Sequence, residues 1–498
     1  MSDTGVISGR PALAGYYPFR VRVTRADGDW GERALTITVN KFRRYFAEGA
    51  SSGLFDCSFA VVNPSDSQAA VVTFSLLRHD SQTFLESVAV PPMTRRTLDV
   101  KSVPGMSLAP GFSTIVEADT EVVVDRTMSW NGSHYGSHAE SSIAAPATTW
   151  YLAEGATQNG FQLYYLIENP NGGPVDVQIT YLRRAPEPSF SISYPAIPGH
   201  TRRTVYVNGE DPRLWYGDVS AVVTSLTPGR PIIVERAMYQ DSRGVMFSAG
   251  HASAGVTATS TDWFLAEGAT VATFDTYILL ANPGDVDGTA TITYMLTDGR
   301  TVEKDYPVSA GSRQTVWVNG ESGGTEPRIS LSGVSFSAAV HSTVPIIVER
   351  SMWWGATRGG GWHEANNAAG TTETGTLWAV ADGEEGGTFA TDTYVLVANT
   401  SPFPGRVRVT VLGEDGTTHI TERDVPARSR STFWMGGAVV TPDSPFGGLL
   451  EGTRFGTLVE SLPTEGGTAA LVVERAMYSN ANGVTWAAGT DLVATKIR

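Results

Sequence analysis

The chain has 498 residues, of which 41% are hydrophobic and 17% are charged, and its formal net charge is −15 at pH 7. This apolar content is too high for a disordered chain, and this length is too great for one hydrophobic core. The acidic balance argues against nucleic acid or an anionic membrane surface as a partner. Since no apolar run approaches the roughly 18 residues of a membrane span, we expect no membrane insertion.

Residues 1–40 form a leader before the repeated part of the chain. Apolar and polar residues alternate from Phe19 to Thr24 and again from Leu35 to Val39, which predicts two strands that pair as a hairpin. The segment 5–39 resembles the second half of the Ig-like domains of bacterial surface proteins. The strands expected before it are missing from the sequence, so we expect an excised piece of an exported protein, located at the cell surface or outside the cell.

After the leader, one pattern occurs four times. Each copy begins with an opener (an aromatic stretch ending in Ala, an acid and Gly) and continues through an Asn at a strand end and a Ser/Thr-Arg-x-Thr step. It ends in a close, which is an acid followed by Arg. The opener acids are 106, 113 and 115 residues apart, which is the size of a small domain rather than of one solenoid unit.

These distances divide the chain into the leader and four modules, 41–148, 149–261, 262–375 and 376–498. Module 3 shows seven or eight short alternating stretches separated by Gly, Pro, Asn and Asp, and no stretch has a helical period. The pattern predicts an all-β chain, a tandem array of four Ig-like antiparallel β-sandwich modules in a rod or curved array. A β-propeller with two blades per repeat is the alternative.

The repeats carry the motifs Trp-Tyr-Leu-Ala-Glu-Gly at 150–155, Asn-Pro at 169–170 and Val-Glu-Arg at 234–236. In these motifs the segment 41–498 resembles a bacterial family of tandem repeats of unknown function. The resemblance implies an extracellular, non-enzymatic role, and it supplies no catalytic residues.

An acid in the opener and an arginine in the close occur together in every copy. We expect them to form a partly buried latch within each module. The expected pairs are Glu48 with Arg126, Glu154 with Arg236, Glu267 with Arg350, and Asp382 with Arg475. The functional alternative is a cation or sugar site built from the carboxylates of opener and close, such as Glu154 and Glu235.

Histidines and tryptophans mark places where the copies differ. His138, His251 and His363 follow the close by 12, 15 and 13 residues, and we expect them to pack between modules. Trp353, Trp354 and Trp362 cluster in module 3, where they are candidates for a platform that stacks against sugar rings.

No catalytic, cofactor or metal site is predicted. His363 and Glu364 begin a zinc-protease pattern, but Asn367 stands where the second histidine ligand is needed. The sequence therefore favours a non-enzymatic structural, adhesive or spacer array that contacts a protein or glycan at the cell surface. One alternative is a carbohydrate-binding array, and another is a filament subunit that assembles by strand addition of the leader.

Overall fold

The structure is a computed structural model that describes residues 15–39, 41–131, 135–242, 244–323, 328–355 and 362–498. The leader resemblance before Gly15 lies outside these residues. Within them there is no α-helix, and antiparallel sheets account for the fold. The predicted all-β fold, an array of four antiparallel β-sandwich modules, is confirmed.

The strands follow the repeat. The leader contains β1 (Gly15–Thr24) and β2 (Trp30–Val39). Module 1 contains β3 (Phe42–Phe46), β4 (Phe55–Asn63), β5 (Ala70–Arg78), β6 (Thr83–Val90), β7 (Thr94–Asp99), β8 (Phe112–Ala118), β9 (Val123–Asn131) and β10 (Tyr135–Ser141). Module 2 contains β11 (Thr149–Leu152), β12 (Phe161–Asn169), β13 (Val175–Arg183), β14 (Phe190–Ile197), β15 (Thr201–Tyr206), β16 (Val219–Ser225), β17 (Ile233–Ser242) and β18 (Val245–Ala254).

The second half of the chain repeats this order. Module 3 contains β19 (Ser260–Leu265), β20 (Asp275–Asn282), β21 (Gly288–Leu296), β22 (Thr301–Val308), β23 (Ser312–Trp317), β24 (Ser322–Gly323), β25 (Ile329–Ser330), β26 (Phe336–Trp354) and β27 (Glu364–Ala369). Module 4 contains β28 (Leu377–Glu385), β29 (Asp392–Asn399), β30 (Gly405–Gly413), β31 (Thr418–Val425), β32 (Ser429–Trp434), β33 (Thr453–Thr464), β34 (Gly467–Thr468), β35 (Leu471–Ala481), β36 (Val484–Val493) and β37 (Thr495–Lys496). Single turns of 3-10 helix lie at Val100–Ser102, Val207–Gly209, Pro212–Leu214, Val318–Gly320 and Gly447–Leu450.

Each module consists of an outer sheet and an axial sheet. In module 1 the outer sheet has the order β3-β8-β5-β6 and the axial sheet the order β10-β9-β4-β7. The other modules repeat both orders of pairing, except that in module 3 one long strand, β26, takes part in both sheets. Phe59 of the axial sheet and Phe74 of the outer sheet pack with ring centroids 5.2 Å apart. The two sheets of a module thus share one core as a sandwich, and they are not two separate propeller blades.

The Asn at each strand end closes a loop of its own module. The Asn63 side chain donates to the carbonyls of Gln68 at 2.7 Å and Val90 at 3.0 Å. Asn169, Asn282 and Asn399 each donate to two loop carbonyls in the same way. These bonds satisfy buried main-chain groups that the turn would otherwise leave without partners.

The central strands β10, β18, β27 and β36 form the inner edges of the four axial sheets. β10 contacts β18, β18 contacts β27, β27 contacts β36, and β36 contacts β10. Because the last contact joins module 4 to module 1, the modules form a closed ring. The expected rod is therefore wrong, and the curved array closes on itself. Packing the central strands together covers four sheet edges that a rod would leave exposed.

A buried ion pair fastens each of the first three joints. Arg126 Nη1 donates to Glu235 Oε2 at 2.7 Å, and Arg236 Nη1 donates to Glu349 Oε2 at 2.7 Å. Arg350 makes the same bond to Glu474. The other oxygen of each glutamate accepts the opener N–H of the preceding module at 2.7 Å. These N–H groups belong to Ala47, Ala153 and Ala266.

The fourth joint uses a shorter acid. Asp125 of module 1 accepts the N–H groups of Ala381 at 2.6 Å and Asp382 at 3.1 Å in module 4. Arg95 adds an ion pair, since its Nη2 lies 2.9 Å from Asp382 Oδ1. The ring is therefore closed by the contact that the other joints use, between a close acid and the opener of the preceding module. At this joint Arg95 is the main guanidinium partner of the opener acid, Asp382.

The predicted latch within each module is corrected by these contacts. In modules 1 to 3 the close arginine donates to the main-chain carbonyl of the opener acid, at 2.9, 3.1 and 3.1 Å for Glu48, Glu154 and Glu267. Its carboxylate partner comes from the next module. Only in module 4 do the expected side chains come within 4 Å of each other, with Arg475 Nη2 at 3.9 Å from Asp382 Oδ2. The recurring charges connect modules because the guanidinium lies at the joint between them.

Two of the three predicted inter-module histidines lie at such joints. His138 Nε2 is 3.2 Å from Tyr239 Oη of module 2, and the His251 ring lies 5.4 Å from the Trp353 ring of module 3. His363 does not take the corresponding place in module 3. Asn366 pairs with Met352 there, as His138 pairs with Met128 and His251 with Met238. His363 instead lies in the turn before β27, where its main-chain N–H donates to the Trp354 carbonyl at 2.8 Å.

We predict that removing one close acid destabilises the ring strongly. Glu235→Ala leaves the Arg126 guanidinium and the Ala47 N–H buried without their acceptor, so we expect a loss of about 3–5 kcal/mol in the free energy of unfolding. Urea denaturation monitored by tryptophan fluorescence measures this loss. Glu422→Ala, which breaks exposed ion pairs with Arg406 and Arg408, is the control and should leave the midpoint unchanged. A Glu235→Ala midpoint equal to that of the control contradicts the proposed role of the joint.

We also predict that His251 makes the folded state sensitive to acid. Burial, followed by the charge of Arg236, holds the pKa of His251 well below its usual value. The unfolded chain takes up this proton near pH 6.5 and the folded chain does not, so stability falls as the pH falls below about 6.5. His251→Asn introduces the residue that module 3 has at this place. The variant should lose less stability than the wild type below that pH, by up to about 1.4 kcal/mol per pH unit.

Urea denaturation at pH 7, 6 and 5 measures the difference between the two proteins. Comparison with the wild type is needed because Asp125, Glu140 and Glu154 act in the opposite direction. Burial raises the pKa of each of these carboxyls to about 7, so they favour the folded state as the pH falls. The exposed His79 gives the control variant His79→Asn, which should follow the wild type. Identical pH profiles for His251→Asn and wild type would contradict the prediction that buried His251 makes the folded state sensitive to acid.

Candidate functional site

A cleft of about 770 Å³ lies at the joint between modules 2 and 3. One wall is aromatic, and its rings come from neighbouring strands of the module 3 axial sheet. Tyr277 of β20 lies opposite Trp317 of β23 and opposite Ser351 of β26, so these side chains share one face. Trp353 and Trp362 extend this wall, and Phe161 of module 2 packs edge-on against Trp353 at 5.0 Å.

One carboxylate holds two of the indoles in place. Asp275 Oδ1 accepts the Trp317 Nε1–H at 2.9 Å, and Asp275 Oδ2 accepts the Trp362 Nε1–H at 3.0 Å. The Trp353 Nε1–H donates to Ser351 Oγ at 2.7 Å. Because the polar edges of all three indoles are bonded to protein, it is their apolar surface that is presented to the cleft.

Three residues that line the cleft carry buried polar atoms without a protein partner. Glu154 Oε2, Gln240 Oε1 and Arg313 Nε make no hydrogen bond to any described residue, and the three side chains belong to residues only 5 to 7% exposed. Buried polar groups in proteins are nearly always hydrogen-bonded. The cleft therefore offers two acceptors and one donor beside an aromatic wall, which is an arrangement suited to a polar ligand with an apolar face.

The charge state of this site is set by burial. Burial raises the pKa of Glu154 to about 7, although Arg313 and Arg236 favour the carboxylate. At Asp382, the corresponding acid of module 4, burial acts in the same direction, but Arg95 and Arg475 outweigh it and the pKa is lowered. The opener acid is thus close to its titration point at neutral pH in the cleft and firmly charged at the ring closure.

The predicted tryptophan platform is divided between two joints. Trp353 and the partly exposed Trp362 line the cleft, whereas Trp354 is not among its lining residues. Trp354 is 2% exposed and donates from Nε1 to the Trp486 carbonyl of module 4 at 2.9 Å. Consecutive strand residues point to opposite faces of a sheet. Trp354 is therefore removed from the proposed platform.

Sequence reasoning missed Tyr277, Trp317, Gln240 and Arg313 as cleft residues. In the sequence Arg313 is recognisable only as the arginine of the Ser/Thr-Arg-x-Thr step of module 3. Its proximity to Glu154 could not be predicted, because it depends on how modules 2 and 3 pack. A signal for Trp317 was available from comparison of the copies. The corresponding residues of modules 1, 2 and 4 are Asp99, Tyr206 and Trp434.

The joint between modules 4 and 1 has a smaller and more polar cleft of about 280 Å³. Ser58, Asp99 and Ser129 occupy the places that Tyr277, Trp317 and Trp353 have in the larger cleft. The smaller cleft has aromatic rings at other positions, since Tyr135 and Phe389 stack there with ring centroids 4.3 Å apart. The row of rings formed by Tyr277, Trp317 and Trp353 has no counterpart among its described lining residues.

In the part of the chain that the structure describes, no group of three His, Cys, Asp or Glu side chains is arranged to hold a metal ion. These described residues also form no helix that is long and apolar enough to cross a membrane.

Comparison with known proteins gives few relatives. No family model matches the chain, and no curated protein matches it. Among nine matching solved chains, Thermotoga maritima 1070 is 19% identical, with 21% of this chain and 96% of that chain covered and a TM-score of 0.20. The Anabaena sensory rhodopsin transducer is 25% identical, with coverages of 18% and 95% and a TM-score of 0.16. A tetra-tandem repeat from the extending region of a large adhesion protein is 14% identical, with coverages of 87% and 96% and a TM-score of 0.10. These TM-scores are too low to carry an argument about function.

Proposed function

We propose that this chain is a non-enzymatic recognition unit of an exported bacterial protein, an adhesive ring that binds carbohydrate in the cleft between modules 2 and 3. The observation that carries this proposal is the aromatic wall beside three buried, unpartnered polar atoms. Sugars present an apolar C–H face for stacking and hydroxyl groups that both donate and accept hydrogen bonds. Glu154, Gln240 and Arg313 supply the matching acceptors and donor.

Binding is favoured over hydrolysis because the other carboxylates of the cleft are already engaged. A glycosidase generally needs two carboxylates on either side of the scissile bond. Both oxygens of Asp275 accept indole N–H groups, and Asp218 Oδ1 accepts the Gln158 amide at 2.8 Å. Both aspartates are thus oriented by protein donors, which supports recognition without turnover.

The closed ring supports presentation of this site rather than a spacer role. A spacer separates its ends, whereas here module 4 returns to contact module 1 through Arg95 and Asp382. Buried charges at each joint fix the modules relative to one another, so the two walls of the cleft are held at a constant separation. Such preorganisation reduces the entropy lost on binding.

The test of the cleft is loss of glycan binding in Trp317→Ala. A glycan array identifies a ligand of the wild-type chain, and calorimetry then compares variants on that ligand. An aromatic contact worth about 0.5–1.5 kcal/mol beyond the buried area predicts a weakening of roughly tenfold. Trp434→Ala is the matched control, since Trp434 has the corresponding position in module 4, and it should bind as the wild type does. Equal affinity of Trp317→Ala and wild type, or no retained glycan, contradicts the proposal.

The leader hairpin favours self-assembly as a second candidate function. β1 pairs only with β2 among the described strands. Tyr17 lies opposite Ile37 and Phe19 opposite Leu35, which gives one apolar face, yet Tyr17, Ile37 and Leu35 are 44, 40 and 38% exposed. An isolated two-stranded hairpin is marginally stable in water. This supports the addition of the hairpin to a second copy of the chain.

Deletion of residues 1–40 tests self-assembly independently of the cleft. Light scattering after size-exclusion chromatography should show the full chain forming larger species as its concentration rises, and the shortened chain remaining a monomer. The shortened chain should keep its glycan affinity, because all cleft residues lie in modules 2 and 3. A full chain that stays monomeric at about 100 µM, a concentration of the order used to detect weak association, contradicts assembly through the hairpin.

A further inference from the structure

A second cavity lies at one end of the ring axis and receives residues from all four modules. The segments that join successive modules converge there and enclose about 590 Å³. Its lining residues fall within 140–150, 254–263, 367–373 and 492–493. This axial pocket exists only in the closed ring, because no single module supplies more than a part of its wall.

Glu140 of β10 is the buried carboxylate in the lining of this pocket. The residue is 9% exposed. Its Oε1 accepts the Ser141 N–H at 2.9 Å and the Ser141 hydroxyl at 3.3 Å, and its Oε2 accepts the Ala254 N–H of module 2. A carboxylate has about four acceptor positions, so these bonds leave capacity for a ligand. The two main-chain donors also fix where the carboxylate is held.

Asn367 adds a donor without a partner. Its Oδ1 accepts Arg236 Nη2 at 2.8 Å, which sets the orientation of the amide. Its Nδ2 has no hydrogen-bond partner among the described residues, although Asn367 is 2% exposed and lines the pocket. A buried amide donor of this kind is expected to bond to something in the cavity that it lines.

The rest of the wall is apolar or weakly polar. Ile143, Trp150, Val256, Trp263 and Leu492 contribute apolar surface. The charged residues among the described lining are Glu140 and Glu373, and no Arg or Lys is found there. Because Glu373 is paired with Lys496 at 2.9 Å, Glu140 is the carboxylate of the described lining without a cation partner. A buried carboxylate beside apolar walls is complementary to a cation that carries an apolar body.

We propose that the axial pocket binds a primary alkylammonium group, with the ammonium on Glu140, its apolar chain against the wall, and an acceptor of the ligand on Asn367 Nδ2. The ligand class is therefore a small organic amine. This site is separate from the carbohydrate cleft, and neither proposal depends on the other.

The electrostatic surroundings of Glu140 agree with a cationic ligand. Burial, followed by the charge of Glu235 on β17, raises the pKa of Glu140 to about 7, while the Ala254 and Ser141 N–H groups and Arg126 on β9 lower it. An ammonium ion in the pocket would stabilise the carboxylate form. Amine binding should thus be tighter at pH 8 than at pH 6, since protonated Glu140 cannot pair with the cation.

The test uses n-butylammonium as the probe and calorimetry of the full chain at pH 8. We expect n-butylammonium to bind, the isosteric neutral n-butanol to bind at least tenfold more weakly, and Glu140→Gln to weaken butylammonium binding at least tenfold. Glu422→Gln is the control for general negative charge, because Glu422 is exposed and lies outside the pocket lining, and it should bind as the wild type does. No binding to the wild type, or unchanged binding by folded Glu140→Gln, overturns the proposal.

Ala258→Trp keeps the proposal testable if Glu140→Gln fails to fold. Ala258 is an exposed residue of the pocket wall, so an indole at this place fills the cavity without entering a module core. With the circular dichroism spectrum and thermal midpoint of the wild type, this variant should lose butylammonium binding and keep glycan binding. Retained amine binding by Ala258→Trp overturns the axial assignment.

Discussion

At each joint of the ring, the acid of one module's close is buried against the opener of the module before it. In three joints a glutamate joins an arginine and an alanine N–H, as Glu235 does with Arg126 and Ala47. Moving two charges out of water costs several kcal/mol per ion unless geometry and hydrogen bonding are well matched. Each module supplies its close acid to the module before it, and its opener and close arginine to the module after it. All of these buried groups therefore find their partners only when module 4 meets module 1.

The modules themselves could be predicted from the sequence, whereas their assembly could not. Alternation of apolar and polar residues determines strands locally, and four copies of one pattern determine four sandwiches. The partners of the charges are a different matter. The opener acid and the close arginine occur together in every copy, as Glu48 and Arg126 do in module 1. Their co-occurrence is equally consistent with a pair inside the module and with bonds between modules. Sequence position fixes where a charge lies in its own strand, but it does not say which copy supplies its partner.

The same limit applied to the candidate site. Trp353 and Trp354 are neighbours in sequence, yet the pleat of β26 sends them to joints on opposite sides of module 3. Conversely, Glu154 and Arg313 are far apart in sequence and meet because modules 2 and 3 pack together. The tryptophans that could be identified were those conspicuous in one copy, while Trp317 required comparison of one position across all four copies.

This comparison separates the constrained part of each joint from the variable part. The buried acid and arginine recur because their replacement leaves a charge without a partner, a cost that no neighbouring side chain can readily remove. Replacing a residue that only lines the joint has no such cost. One lining position, for example, is Asp99 in module 1 and Trp317 in module 3. A ring held together by recurring charges can therefore keep four joints of similar geometry while the residues that line them vary. The convergence of the linking segments at the axis then adds a pocket that no joint contains, so closure provides binding surface as well as rigidity.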